Sequence, residues 1–415
     1  MSSDRSRVEF PANGQSRDHV MALMQSRRSG DIAWREARTF SLVYPTGRDD
    51  VDELLVAANE AYVFENALNP LRFPSLGLME REVISMVGSL LRAPDGSGGA
   101  FSSGGTESIV LSVLSAREKA RARGVTGGRV VTPISAHPAF AKAAHLLGLE
   151  LVTTPLREDF TADVAAWEAA LTPDTVVAMG SAYSYPHGVV DSIATMSEAA
   201  GERGIPFHTD ACIGGFVLPF LEDLGVPVPQ WDFRAAGVTQ ISADVHKYGY
   251  ATKGASVITY RDRADLRGQV FTYNDWPGGM YRTPSLAGAR AASPIAAAWS
   301  VMNYLGRDGY DDLARDLMAT TAQFAAGISA VPGLRILGQP IGPLLAFTSD
   351  SVDINAVGDV MDDRGWGLGR VHQPEGLQMM IAPHHRASVS DFLDDLAYAV
   401  AHPAHTTRQR GGYNT

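Results

Sequence analysis

The stretch Val238-Thr239-Gln240-Ile241-Ser242-Ala243-Asp244-Val245-His246-Lys247-Tyr248-Gly249 decides the fold. Val238 to Ser242 is a short strand-forming run, and the polar residues after it turn it into a loop. A strand that delivers chemically active side chains at its carboxyl end is the plan of an open α/β sheet, whose ligands bind beyond those ends. The same plan repeats on the amino-terminal side. From Gly77 to about Tyr260, short apolar runs alternate with longer amphipathic ones. The predicted strands are Arg129 to Ile134, Leu149 to Thr154, Thr175 to Met179, Pro206 to His208, Val238 to Ser242 and Ala255 to Tyr260. The predicted helices between them include Thr106 to Ala122, closed by Gly124, and Ile193 to Gly201. This alternation predicts an α/β fold with a helix-flanked, mostly parallel sheet.

On the amino-terminal side, Leu55, Ala58 and Tyr62 repeat at helical spacing within Asp52 to Phe64, which runs into the extended segment Asn69 to Pro74. After Asp275 comes a Gly/Pro-rich loop, then an Ala-rich helix from about Ser293 to Tyr304, a further helix to about Val331, and a βα-like tail ending near Ala401. The expected division is an N-terminal helical segment and loop over 1–75, a large domain over 76–290, a smaller α+β C-terminal domain over 291–405 and a flexible tail over 406–415.

The 415 residues carry 35 Lys+Arg against 46 Asp+Glu, a net charge of −11, with 45% hydrophobic and 20% charged residues. This is ordinary globular usage and excludes disorder as a description of the whole. A protein that works on phosphate backbones or anionic lipid needs a basic surplus, so nucleic acid is not an expected partner. The single cysteine, Cys212, forms no internal disulfide, and the charged N-terminus lacks the apolar core of a secretion signal. With no apolar run of about 18 residues, the expectation is a cytoplasmic protein without a membrane span.

Three motifs carry chemistry. Ser103-Gly104-Gly105-Thr106 opens directly into a helix, where unpaired N–H groups and bare glycines make a cradle for an anion. An ordinary helix cap with Ser103 or Thr106 as capping residue explains the same residues. Phe207-His208-Thr209-Asp210 places a carboxylate at a strand's carboxyl end, where it either caps a helix or holds a positive charge on a bound ring. Lys247, between His246 and Tyr248, is either a solvated surface charge or a lysine held for Schiff-base chemistry. Their order is informative: cradle, His137, Asp210, Lys247. Pyridoxal 5'-phosphate needs these four functions, namely a phosphate seat, a ring to stack on, a carboxylate for the pyridine nitrogen and a lysine for attachment. No metal-ligand set is assigned.

The motifs Ser103 to Ile109, Ser135 to Ala144, Pro186 to Asp191, His208 to Phe216, Asp232 to Gly254 and Asp275 to Arg290 together resemble the fold-type-I pyridoxal phosphate enzymes of the group II decarboxylase superfamily. Within that superfamily the sequence is similar to the sphingosine-1-phosphate lyases, over roughly Asp31 to Ala401. The resemblance implies a catalytic set of Lys247, Asp210, His137 and Tyr185, with Lys247 bonded to the cofactor, Asp210 paired with the pyridinium and His137 stacked on the ring. It implies that Ser103, Gly104, Gly105, Thr106 and His246 hold the cofactor phosphate, approached by Gly278 and Gly279 of a neighbouring subunit, and hence a homodimer. Tyr44, Tyr185 and Lys253 fall where the family faces the substrate headgroup. The implied reaction is retro-aldol cleavage of a phosphorylated 2-amino-3-hydroxy compound to an aldehyde and a phosphorylated amine.

Two departures bear on the substrate. Arg72 replaces a headgroup histidine in a shortened loop, and Arg282 follows the Gly278-Gly279-Met280-Tyr281 turn where the family has a small or aromatic residue. Two guanidinium groups at the mouth fit a more anionic substrate; a salt bridge at the subunit contact fits them equally. The membrane anchor of the eukaryotic lyases is not expected in this sequence. The alternative activity is decarboxylation of an anionic amino acid with the same cofactor, and a non-catalytic dimeric scaffold is the third reading.

Overall fold

The computed structural model describes residues 8–405; the expected tail over 406–415 lies outside the described residues. Strands β1 (Gly98–Ser102), β2 (Arg129–Pro133), β3 (Glu150–Thr154), β4 (Thr175–Ser181), β5 (Phe207–Asp210), β6 (Val238–Ala243) and β7 (Ser256–Tyr260) form one sheet in the order β1-β7-β6-β5-β4-β2-β3. Strands β3, β2, β4, β5 and β6 run parallel, while β7 is antiparallel to both β6 and β1. The expected mostly parallel sheet is present, with every β4 residue buried as in a strand covered on both faces. Strand β1 was not expected, because Gly98-Gly99-Ala100-Phe101-Ser102 lacks β-branched residues. Packing explains it: a Cβ on Gly99 would lie 2.8 Å from Ile84 and 2.9 Å from the Ile258 carbonyl.

Ahead of the sheet stand α1 (Arg17–Arg28), α2 (Asp49–Ala61) and α3 (Pro74–Leu90). Pro74 occupies the first turn of α3, where its missing N–H costs nothing, so the segment read as extended is a turn feeding a helix. Within the sheet unit lie α4 (Gly105–Ala122), α5 (Ala139–Leu147), α6 (Val164–Ala169), α7 (Ile193–Glu202), α8 (Leu218–Asp223) and the single turn α9 (Arg263–Leu266). Helix α4 buries Ser108, Ser112, Ser115, Ala116 and Ala120, small residues that let it sit close between α5 and the sheet.

A short hairpin of β8 (Phe271–Tyr273) and β9 (Tyr281–Thr283) precedes α10 (Ser293–Ala330). The two helices expected here are present as the two arms of α10, which meet at Gly306, a residue outside helical geometry whose φ of 57° suits glycine. Helix α10 packs on α2 and α3. A second, antiparallel sheet follows: β10 (Leu334–Ile336), β11 (Leu344–Ser349), β12 (Gly369–His372) and β13 (Glu375–Met380), in the order β10-β11-β13-β12. It is accompanied by α11 (Ile354–Asp363) and α12 (Val389–Ala401). Phe40, Phe324, Trp366, Phe392 and His385 form an aromatic cluster joining the N-terminal segment, α10 and α12. The Tyr248 hydroxyl donates to the Ile381 carbonyl at 2.8 Å, which ties the loop after β6 to the end of β13. Among the described residues no helix is long and apolar enough to cross a membrane.

Candidate active site

The carboxyl ends of β5 and β6 and the amino end of α4 converge on a cavity of about 340 Å3. Ser103, Gly104, Gly105, Thr106, His137, Tyr185, Asp210, His246 and Lys247 all line it. Nine residues singled out from distant motifs thus share one cavity. Tyr44 and Lys253 stand outside its lining but next to it: Lys253 Nζ lies 4.5 Å from the centre of the Tyr44 ring and donates to the His246 carbonyl at 2.9 Å. Gly278, Gly279, Arg72 and Arg282 are exposed and do not line it.

Asp210 ends β5, and its Oδ1 accepts from the Cys212 N–H at 3.1 Å and the Ser242 hydroxyl at 3.4 Å. Beneath it Ser242 Oγ lies 3.0 Å from His208 Nε2, and His208 Nδ1 lies 2.6 Å from Ser112 Oγ. Burial pushes the His208 pKa down to about 4, so the ring is a neutral spacer between two hydroxyls. His137 accepts the Ala139 N–H at Nδ1 over 3.1 Å, which fixes the ring, and burial lowers its pKa as well. The Tyr185 ring stands edge-on to it with centroids 6.2 Å apart.

Lys247 Nζ lies 3.0 Å from Asp244 Oδ2. Burial opposes the charge on this amine, yet the Asp244 carboxylate outweighs it and holds the ammonium well above the usual lysine range. Burial equally opposes the Asp244 charge, and Lys247 and His246 overcome it, so that carboxyl stays below its ordinary value. His246 accepts the Ala255 N–H at Nδ1 over 3.1 Å, which leaves the proton on Nε2, 3.8 Å from Asp244. Burial, with Lys247 nearby, pulls Lys253 down to about 8.

Asp244 was not singled out from the sequence, although it stands three residues before Lys247. Glu107 was also missed: its Oε2 accepts both the N–H and the hydroxyl of Ser103, at 2.8 and 2.6 Å, and its Oε1 accepts the Leu286 N–H at 2.9 Å. The Ser103 hydroxyl proton is therefore committed to Glu107, and the cradle's donors are the first N–H groups of α4, which have no intrahelical acceptor. The floor of the cradle is tight. A Cβ on Gly104 would lie 3.3 Å from His246 Cε1, and one on Gly105 2.7 Å from Cys212 Sγ and 2.9 Å from Asp244 Oδ2.

Residues 33–349 match the family model described as the pyridoxal-dependent decarboxylase conserved domain. The chain belongs to that family. Its cofactor is pyridoxal phosphate, and bare glycines at a helix start, a flanking imidazole, a strand-end carboxylate and a half-buried lysine suit that molecule. Relatives place it further. It is 36% identical to a sphingosine-1-phosphate lyase of Oryza sativa over 95% of this chain and 74% of that one. It is also 36% identical to sphingosine-1-phosphate lyase 1 of Rattus norvegicus, over 94% and 69%. The solved sphingosine-1-phosphate lyase of Burkholderia pseudomallei superposes with a TM-score of 0.92 at 38% identity, covering 96% of this chain and 93% of that one. The Lactobacillus brevis glutamate decarboxylase, at TM-score 0.85 and 20% identity, shares the fold. This member of the family is a pyridoxal-phosphate-dependent lyase.

Proposed function

We propose that the enzyme cleaves a phosphorylated 2-amino-3-hydroxy alkane of the sphingosine 1-phosphate type between C2 and C3. The 3-hydroxyl gives up its proton, the C2–C3 bond breaks, an aldehyde leaves, and C2 gains a proton to yield a phosphorylated amine. The reading rests on the convergence of Lys247, Asp210 and His137 in one cavity whose lining contains no arginine among the described residues. The relatives favour cleavage over decarboxylation of an anionic amino acid: the sphingosine-1-phosphate lyases are 36 to 38% identical to this chain and the glutamate decarboxylase 20%. Pyridoxal phosphate, when bound, supplies an electron sink for the pair left at C2.

In this reading the chain's own residues act as follows. Lys247 provides the attachment amine, and Asp210 keeps a proton on the ring nitrogen. His137 covers one ring face. Tyr185, beside it, orients the 3-hydroxyl. Gly104, Gly105, Thr106 and His246 seat the phosphate, while Ser103 braces that turn through Glu107. Tyr44 and Lys253 face the headgroup, and Arg72 and Arg282 extend that anion site. Gly278 and Gly279 reach the site of a second copy in a homodimer. The exposed Phe271, Tyr273, Trp276 and Met280 of the same hairpin support this, since monomers rarely leave such a patch bare. The buried free Cys212 supports a cytoplasmic setting, and the domain division proposed is 1–75, 76–290 and 291–405. Product analysis tests the activity: a long-chain aldehyde from dihydrosphingosine phosphate sustains it, and carbon dioxide from acidic amino acids with no aldehyde refutes it.

A further inference from the structure

A second cavity, of about 570 Å3, opens between the carboxyl ends of β2 and β3 and the β12–β13 edge of the second sheet. It is separated from the cofactor cavity by two short segments, each with one end in either space. Ile134 and Ser135 face the second cavity while His137 faces the first; Tyr183 faces the first, Pro186 and His187 the second, and Tyr185 lines both. A molecule held beside His137 and Tyr185 therefore has a neighbouring space to extend into.

The walls state what that space accepts. Ile134, Pro155, Leu156, Phe160, Pro186 and Val371 make it mostly apolar. Ile134 is 54% exposed, an isoleucine left half bare at the inner end of a strand. The two arginines in the lining already face carboxylates: Arg157 lies 3.8 Å from Asp159, and Arg370 lies 3.4 Å from Asp359 and 2.5 Å from Asp362. His187 stacks on Phe160 with centroids 4.4 Å apart, and burial keeps it neutral. Among the described residues the buried cation of that lining, Arg370, is thus committed to two carboxylates, whereas Lys253 stands over Tyr44 next to the cofactor cavity. The polarity of the two spaces matches the two ends of an amphiphile.

We propose that this second cavity is the subsite for the alkyl chain attached to C3 of the substrate, entered past Tyr185. The inference rests on the lyase reading above and extends it to chain length. Each methylene moved from water into such a space multiplies affinity by about fourfold, so kcat/KM of the wild-type holoenzyme rises along a series of phosphorylated 2-amino-3-hydroxy alkanes of increasing chain length. Ile134→Asp and Leu156→Gln place polar groups in the wall away from the cofactor. Ile134 is half exposed and Leu156 only partly buried, so both variants are tolerated by the fold.

The expected result is that both variants turn over the shortest substrate as the wild type does and lose about tenfold or more on the longest, flattening the chain-length dependence. An unchanged dependence in both variants overturns the subsite. Equal losses on short and long substrates also overturn it, because the substitutions then act on the cofactor site. No aldehyde from any chain length overturns the lyase reading itself, and the subsite with it, an outcome distinct from the other two.

Discussion

At the scale of single residues the site is organised by one contact, the half-buried Lys247 with the buried Asp244 at 3.0 Å. An amine attacks the cofactor aldehyde only when neutral, and Asp244 keeps this one charged in the free enzyme. Asp244→Asn removes the opposing charge while burial remains, so the Lys247 pKa falls and the free-amine fraction near neutrality rises about tenfold for each unit of fall. The apoenzyme variant is expected to acquire the visible band of bound pyridoxal phosphate faster than wild type near neutral pH, with its pH profile displaced to lower pH. Stopped-flow absorbance across pH checks this; an undisplaced profile refutes the role of Asp244. Lys247→Ala is expected to stay folded without forming the band. Asp210→Asn is expected to retain cofactor yet be nearly inactive, because a neutral amide cannot hold the pyridine proton, and near-normal turnover would return Asp210 to a capping role. Asp210, His137 and Lys247 were legible because each sits in a run whose residue types already state a chemistry. Asp244, Glu107 and His208 were not, because their importance comes from which atoms the loop after β6 and the first turn of α4 bring within reach.

At the scale of elements, α4 is a structural helix and, in the proposed function, also the floor of the phosphate seat. The glycines there were readable as a close approach, but the two things approached, Cys212 Sγ and Asp244 Oδ2, come from the loops after β5 and β6 and needed the sheet order to find. Gly105→Ala is therefore expected to force these groups apart, an overpacking cost of about 1 to 3 kcal/mol, and to weaken cofactor retention about five- to hundredfold. Equilibrium dialysis of the variant against pyridoxal phosphate measures it; undiminished retention would mean that the cradle has slack. The alternation of short apolar runs exposed β2 to β7 because buried parallel strands are nearly uniformly apolar. It failed at β1, which is held by glycines that pack rather than by β-branched residues, whereas the break between two helices expected after Tyr304 is found at Gly306 within α10.

At the scale of the whole molecule, the exposed apolar hairpin of β8 and β9 and the exposed Leu71, at 89%, carry Arg282 and Arg72 at or beside them. In the homodimer proposed above this bare aromatic and aliphatic surface is where the second copy seats, and that copy would bring these guanidinium groups toward a cavity whose lining holds none among the described residues. Met280→Asp, on a side chain 70% exposed and so harmless to the folded protomer, is expected to shift the protein to monomer and to weaken cofactor retention. Sedimentation velocity and cofactor dialysis measure the two together, and a monomer that keeps its cofactor would show the site complete within one chain. Within the dimer, Arg72→Gln and Arg282→Gln separate substrate binding from assembly. A guanidinium that holds the substrate phosphate contributes a charge-assisted hydrogen bond of about 1.5 to 3 kcal/mol, so its loss raises KM about ten- to hundredfold with a smaller change in kcat, as expected for binding shared by ground and transition states. A guanidinium that serves the contact instead raises the dimer dissociation constant and leaves KM of the remaining dimer unchanged. Measuring both constants for each variant assigns each arginine to one role, and an unchanged KM for both would return the headgroup to Tyr44 and Lys253 alone.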